Sequence, residues 1–169
     1  LILNPFGLKY LGCETDHDFQ GWERELSYAL GIGNNMLREK TAQIVVNNSG
    51  ILKKVISNHS VISKTAQVGD GVFISKGVLV NALVQIEDYA ILNTGCIIEH
   101  ECVISCAAHI GPGAVLAGNV SIGRRTFVGS NAVIKQGINI GDDVLIGAGS
   151  VIINDVPNNT KMVGNPGRI

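Results

Sequence analysis

Counted in sixes from Ile62, sixteen consecutive blocks open on an aliphatic residue, beginning Ile62, Val68, Ile74 and ending Ile140, Ile146, Ile152. The fifth place of each block is small or β-branched, from Ala66, Val72 and Val78 through Cys96, Cys102 and Ala108 to Val156. A helix repeats every 3.6 residues and a strand every two, so neither gives this period; a stacked supersecondary unit does. Six residues cannot bury an apolar face alone, so each coil must complete its core against its neighbours. Short strands rich in Val and Ile do this by pairing in parallel at a spacing of about 4.8 Å. Residues 62–157 are therefore expected to form a β-solenoid of hexapeptide repeats. Corner places such as Gly69-Asp70-Gly71 and Gly141-Asp142-Asp143 carry the residue types that tolerate open backbone angles.

Residues 1–61 read as a small α/β domain. A strand is expected over Leu26–Ile32, a helix over Met36–Val46 with Leu37, Thr41, Ile44 and Val45 on one side, and a strand over Leu52–Ile56. Such a βαβ unit places a helix N-terminus where phosphates bind. Gly31-Ile32-Gly33 is also consistent with a plain turn, and no G-x-G-x-x-G fingerprint is present. Residues 158–169 form a short tail containing Gly164-Asn165-Pro166-Gly167.

A net charge of −1 provides no basic field, so nucleic acid is not an expected partner. No apolar run reaches eighteen residues and no signal peptide is visible, so no membrane span is expected. Of the four cysteines, Cys96 and Cys102 take inward fifth places, which suits small core residues in a reducing cytoplasm.

The stretch Leu92 to His109 departs from the corner pattern, because Glu99, His100 and Glu101 crowd three ionisable groups onto one corner. An imidazole takes a proton near neutral pH, and an adjacent carboxylate holds its tautomer and raises its basicity. If a coil takes three hexads, which the family resemblance given below implies and the period alone does not show, it returns eighteen residues later, at Gly118. A bare glycine there leaves room for a ligand to approach the imidazole, with a backbone N–H to face an oxyanion. The same step links Ser130 to Ala148, a second column of small residues along which an extended ligand can lie. The plain alternative is a surface histidine at a corner. Cys96, Cys102, Cys106 and His109 have metal-ligand chemistry, but their spacings match no usual zinc pattern, and no metal is expected. Cys106 has no basic neighbour in sequence, which favours a free thiol over a nucleophile.

The run Leu-Asn-Thr-Gly-Cys-Ile-Ile-Glu-His-Glu-Cys-Val-Ile, followed by Ala-Gly-Asn-Val-Ser-Ile-Gly at 117–123, resembles the bacterial left-handed β-helix sugar acetyltransferases. That group includes UDP-4-amino-sugar N-acetyltransferases and sialic acid O-acetyltransferases. Ile32-Gly33-Asn34-Asn35 with Arg38 is similar to the turn of the family's nucleotide domain, and the Gly-Asn-Pro-Gly ending varies a Gly-x-Pro-Ala one. The resemblance implies a left-handed parallel β-helix preceded by a Rossmann-like nucleotide-sugar-binding domain. It implies His100 as general base, Glu101 as the neighbour that increases its basicity, and Asn93 as a residue positioning substrate or base. Gly33, with Asn34 beside it, is implied to touch the nucleotide sugar. His109 and the backbone at Gly118, Ser130 and Ala148 would contact acetyl-CoA, lying between adjacent subunits of a cytoplasmic homotrimer. The family's opening strand, glycine-rich phosphate loop and acidic pair are not recognisable before Gly12, so the α/β domain is expected to be incomplete at its N-terminus. N-acetylation of a UDP-linked amino sugar is the first expectation, and O-acetylation of sialic acid or another sugar hydroxyl the alternative. A non-catalytic assembly or nucleotide-sugar-binding module and a metal-dependent solenoid enzyme are the other classes the sequence leaves open.

Overall fold

The structure, a computed structural model, describes residues 7–13, 15–17, 19, 21, 22 and 26–169. Strand β1 (Ser27–Tyr28) leads through a turn into helix α1 (Asn35–Asn47) and back to β2 (Ile51–Leu52), which pairs in parallel with β1. Asn34 caps the helix, its Oδ1 accepting the Leu37 N–H at 2.9 Å. At the far end Ser49 takes a left-handed φ of 61°, and the Gly50 N–H turns back to the Val45 carbonyl. The buried face of α1 is Arg38, Glu39, Thr41, Ala42 and Val45; of the expected Leu37, Thr41, Ile44 and Val45, Thr41 and Val45 are buried, Ile44 is half-buried and Leu37 is exposed. The helix turns a charged pair inward because partners for both charges wait on the solenoid.

Eighteen two-residue strands, β3 (Val55–Ile56) to β20 (Lys161–Met162), then wind three to a coil into a solenoid with sheets of seven, six and five strands. Each strand pairs in parallel with the one a coil later, in the register Ile97↔Val115 and Ile98↔Leu116, a step of eighteen residues. The expected strand over Leu52–Ile56 divides. Ile51–Leu52 stays with the α/β unit while Val55–Ile56 pairs with Phe73–Ile74 as the first rung. The reason lies in the period, because Ile56 stands six residues before Ile62 and is in phase with the block leaders. The last coil is two residues shorter: Leu145 pairs with Lys161, and Ile140 bridges Val156.

The core follows the expected set from Val72 onward and takes in Met162 of the expected tail, while Ile62, Ala66 and Val68 are only partly buried. From Ile74 onward the leaders are buried, Ile98, Ile104, Ile110, Leu116, Ile134 and Ile146 completely, together with the fifth-place residues Val72, Cys96, Cys102, Ala108, Ala114 and Val120. Each buried Ile or Leu contributes roughly 1.5–3 kcal/mol relative to an exposed one. Outward-facing residues distinguish the three faces. One carries His109 between Ile91 and Phe127, one the aliphatic column Val61, Leu79, Ile97, Val115, Val133 and Val151, and one the mostly polar column Gln67, Gln85, Val103, Ser121 and Asn139. The corners after these faces are named below by Asn93, His100 and Cys106.

Helix α1 is bolted to the Cys106 corner by charge. Arg38 is 1% exposed. Its Nε donates to the Tyr89 carbonyl at 2.7 Å and its guanidinium to the carbonyls of Ala107, Ile32 and Gly33 at 2.6, 3.1 and 3.2 Å. Tyr89 and Ala107 are left-handed corner residues, with φ of 62° and 55°, whose carbonyls point at the helix. Burial lowers the Arg38 pKa to about 10, which leaves it charged at neutral pH. Glu39 accepts from Arg124 at 2.6 Å and Arg125 at 3.0 Å, and Arg125 also holds Asp143 one coil further on. Burial alone would raise the Glu39 pKa, but the two arginines outweigh it and hold the carboxyl below its usual range. Among the described residues no helix is long and apolar enough to cross a membrane.

Candidate active site

His100 and Glu101 occupy the corner after the aliphatic face. Glu101 has φ 61°, a left-handed position that the neighbouring coils fill with Leu83, Asn119 and Gly137. A non-glycine side chain there is disfavoured by roughly 1–2 kcal/mol. The conformation sets the Glu101 carboxylate 3.0 Å from His100 Nδ1. A carboxylate at that distance accepts from an Nδ1–H, the tautomer whose Nε2 lone pair is free to take a proton. Both side chains are about half exposed, at 51% and 57%, so substrate can reach them.

Gly118 lies under the imidazole, one coil on, as the eighteen-residue step requires. The expectation that its missing side chain leaves room for a ligand needs correction. A Cβ on Gly118 would stand 2.5 Å from His100 Cε1 and 2.6 Å from Nε2, so the imidazole itself fills that space. The glycine seats the His100 ring. Its N–H has no partner among the described residues.

Asn93 and His109 form a second group, one corner away. Asn93 Nδ2 lies 3.2 Å from His109 Nε2. The His109 ring is 8% exposed and meets Phe127 edge-on, with centroids 4.9 Å apart. Burial first, then the nearby Arg38 charge, lowers its pKa to about 4, against a smaller opposing effect of the Gly33 backbone. His109 is therefore neutral at pH 7. Among the described residues its buried Nδ1 makes no hydrogen bond of ordinary geometry, although the Gly33 backbone acts on the ring as an acceptor. Ser130 and Ala148 stand on this same corner in successive coils, and the Gly149 N–H bonds the Ser130 carbonyl at 2.8 Å. Within one chain, then, Gly118 belongs to the His100 corner, and Asn93, His109, Ser130 and Ala148 to the next. The aliphatic face separates them.

The turn before α1 faces the His109 group. Asn35 Nδ2 donates to the Arg125 carbonyl at 2.7 Å, which fixes the turn on the solenoid, while Asn34 spends its side-chain oxygen on the helix cap. A groove of about 460 Å³ runs between Gly33, Asn34, Asn35 and Met36 on one side and Arg125, Phe127, Asp143 and Leu145 on the other. The stretch in which a glycine-rich phosphate loop was sought falls largely outside the described residues, at positions 1–6.

The setting of Cys106 disfavours its thiolate. Its Sγ lies 3.5 Å from Glu39 Oε1, and burial together with that carboxylate pushes the thiol up to about 12, Arg124 notwithstanding. Among the described residues no three His, Cys, Asp or Glu side chains converge to hold a metal. Sequence reasoning missed the Glu39–Arg124–Arg125–Asp143 network. Arg125 and Asp143 are one coil step apart and could have been paired from the period, whereas Glu39 meets the arginines only through the docking of α1.

Residues 119–153 match the family described as hexapeptide repeat of succinyl-transferase. A sequence comparison with curated proteins gives no significant match. Among solved structures, PerB from Caulobacter crescentus, in complex with CoA and GDP-perosamine, superposes with a TM-score of 0.83 at 37% identity over 84% of this chain and 69% of its own. The chain belongs to the bacterial left-handed β-helix sugar acetyltransferases. A second member of similar structure is the acetyltransferase domain of PglB from Neisseria gonorrhoeae FA1090, in complex with acetyl coenzyme A, with TM-score 0.82, 31% identity, 83% of this chain and 68% of that one. WeeI from Acinetobacter baumannii AYE follows, with TM-score 0.72, 25% identity, 84% and 69%. As a sugar acetyltransferase the protein needs a base, a place for the acyl donor and a place for the acceptor; His100 and the two corners supply candidates for each.

Proposed function

We propose that this acetyltransferase moves the acetyl group of acetyl-CoA onto the amine of a nucleotide-linked amino sugar. The observation that carries the reading is the His100–Glu101 pair seated on Gly118. In the proposed reaction the neutral amine attacks the thioester carbonyl and a C–N bond forms. His100 Nε2 takes the proton that the nitrogen loses, the C–S bond breaks, and CoA leaves as a thiolate that is then protonated. The Gly118 N–H, without a partner among the described residues, faces the developing oxyanion. No acyl-enzyme is required, which agrees with a Cys106 thiol held well above neutral pH.

The two corners meet when a second subunit packs on the aliphatic face. Val61, Leu79 and Val133 on that face are 66%, 40% and 40% exposed, an apolar column that a neighbouring copy would cover. In a homotrimer built this way, His100 of one subunit faces His109, Ser130 and Ala148 of another, with acetyl-CoA between them. The β1–α1–β2 unit is read as part of a Rossmann-like domain for the nucleotide sugar, with Gly33 and Asn34 at the acceptor.

A UDP-linked 4-amino sugar is one candidate acceptor. A GDP-linked one is favoured by a specific observation, since PerB binds GDP-perosamine. Monitoring free CoA thiol with UDP-, GDP- and dTDP-linked amino sugars, and with sialic acid as the contrast, tests the reading. Release is expected with a nucleotide-linked amino sugar, with an amide product of equal amount. Release with sialic acid alone would establish O-acetylation instead.

A further inference from the structure

Side chains at the left-handed corner places of successive coils meet. Arg125 and Asp143 lie one coil apart with φ of 56° and 54°, and Arg125 Nε donates to Asp143 Oδ1 at 2.7 Å. Gly113 and Asn131 repeat the geometry at another corner, where a Cβ on Gly113 would stand 2.2 Å from Asn131 Oδ1. Leu83 and Glu101 are the same arrangement at the His100 corner, both with φ 61°. The Glu101 N–H donates to the Ala82 carbonyl at 2.9 Å, which stacks the two coils there. In this pair the earlier member is apolar.

Leucine suits that place badly, because a bulky side chain at positive φ is strained. Later coils carry Asn119 and Gly137 in the same column, residue types that tolerate the conformation. Leu83 is also 56% exposed, in a groove of about 370 Å³ whose other walls are Thr65, Gln67, Gln85 and Glu101. A strained, exposed leucine among polar neighbours gains little from packing within the chain.

We propose that Leu83 is a positioning residue that keeps the Glu101 carboxylate on His100. Asparagine at this place would offer the carboxylate a competing NH₂ donor. Glycine would open it to water and to the side-chain amides of Gln67 and Gln85. Leucine does neither, and the His100 Nδ1, 3.0 Å away, keeps the carboxylate as its partner. Arg125 and Asp143 show the opposite choice, in which a donor one coil earlier takes the carboxylate. What the His100–Glu101 pairing is for rests on the acetyltransferase reading; that Leu83 directs the carboxylate does not.

Leu83→Arg copies the Arg125–Asp143 pair at the His100 corner. In a crystal structure of that variant the introduced guanidinium should hold Glu101, with the carboxylate out of hydrogen-bond reach of His100 Nδ1. A carboxylate still on Nδ1 overturns the proposal, whatever the activity. In turnover, kcat should fall about tenfold or more with the KM for acetyl-CoA changed little. Leu83→Met, which keeps an apolar cover, should retain the wild-type kcat; a loss as large as that of Leu83→Arg overturns the proposal. Because Leu83 acts through Glu101, Leu83→Arg should cost nothing further in a Glu101→Gln background. A loss there that adds to that of Glu101→Gln also overturns the proposal. Leu83→Asn, which this backbone accepts readily, gives the same readouts through its amide should Leu83→Arg not fold. Wild-type protein that released no thiol would end the acetyltransferase reading instead, and the position of the carboxylate would still decide the role of Leu83.

Discussion

The His100 imidazole rests in a seat one residue wide. The imidazole sits where any side chain at position 118 would have to be, with a Cβ there only 2.5 Å from the ring. Gly118→Ala should therefore displace the base and lower kcat by about tenfold or more, with the solenoid intact by circular dichroism. A variant with normal kcat would show that the ring position is not needed. The second histidine behaves oppositely. His109 is held near pKa 4 by burial, while the unfolded chain's histidine keeps the ordinary value of 6.5. Between those values the unfolded state binds a proton that the folded state refuses. Stability from this group is complete above pH 6.5 and is lost as pH falls towards 4. The loss is up to about 3 kcal/mol, taking 1.36 kcal/mol per pKa unit. Thermal melts across that window should show the slope in wild type and a shallower one in His109→Gln; equal slopes would remove His109 as the cause.

Helix α1 and the solenoid are different kinds of element, joined by Arg38 and Glu39. Replacing Glu39 with alanine leaves Arg124 and Arg125 without their shared carboxylate. Because Arg124 is half exposed, a loss of about 2 kcal/mol is expected, below that of a fully buried pair. Amide exchange in Ala42–Val46 should quicken by roughly thirtyfold while the strands around Ile98 and Leu116 stay protected; uniform loss of protection would show that the helix and coil unfold as one. The contrast also explains what was legible in the sequence. Burial in the coil is repeated, so Ile62 to Ile152 announce their phase, and the eighteen-residue step puts Gly118 under His100 before any coordinate is seen. Helix α1 has no such repetition. Its apolar pattern pointed to Leu37, whereas the docked face is set by Arg38 and Glu39 finding carbonyls and arginines 51 to 86 residues away. The period fixes which residues share a column, but not their rotamers, so the space above Gly118 was read as open when the base fills it.

At the scale of the whole molecule, one chain holds the parts of a transferase at two corners separated by an aliphatic face, and the proposed reaction needs those corners brought together between subunits. The account therefore stands or falls on whether the His100 corner performs the proton transfer. The direct measurement is thiol release from acetyl-CoA, in the presence of the amino-sugar nucleotide that supports the highest rate, by wild type and by His100→Ala folded to the same melting temperature. The account predicts a fall in kcat of about 10²-fold or more, with the KM for acetyl-CoA changed little. Near-normal kcat in His100→Ala would contradict it.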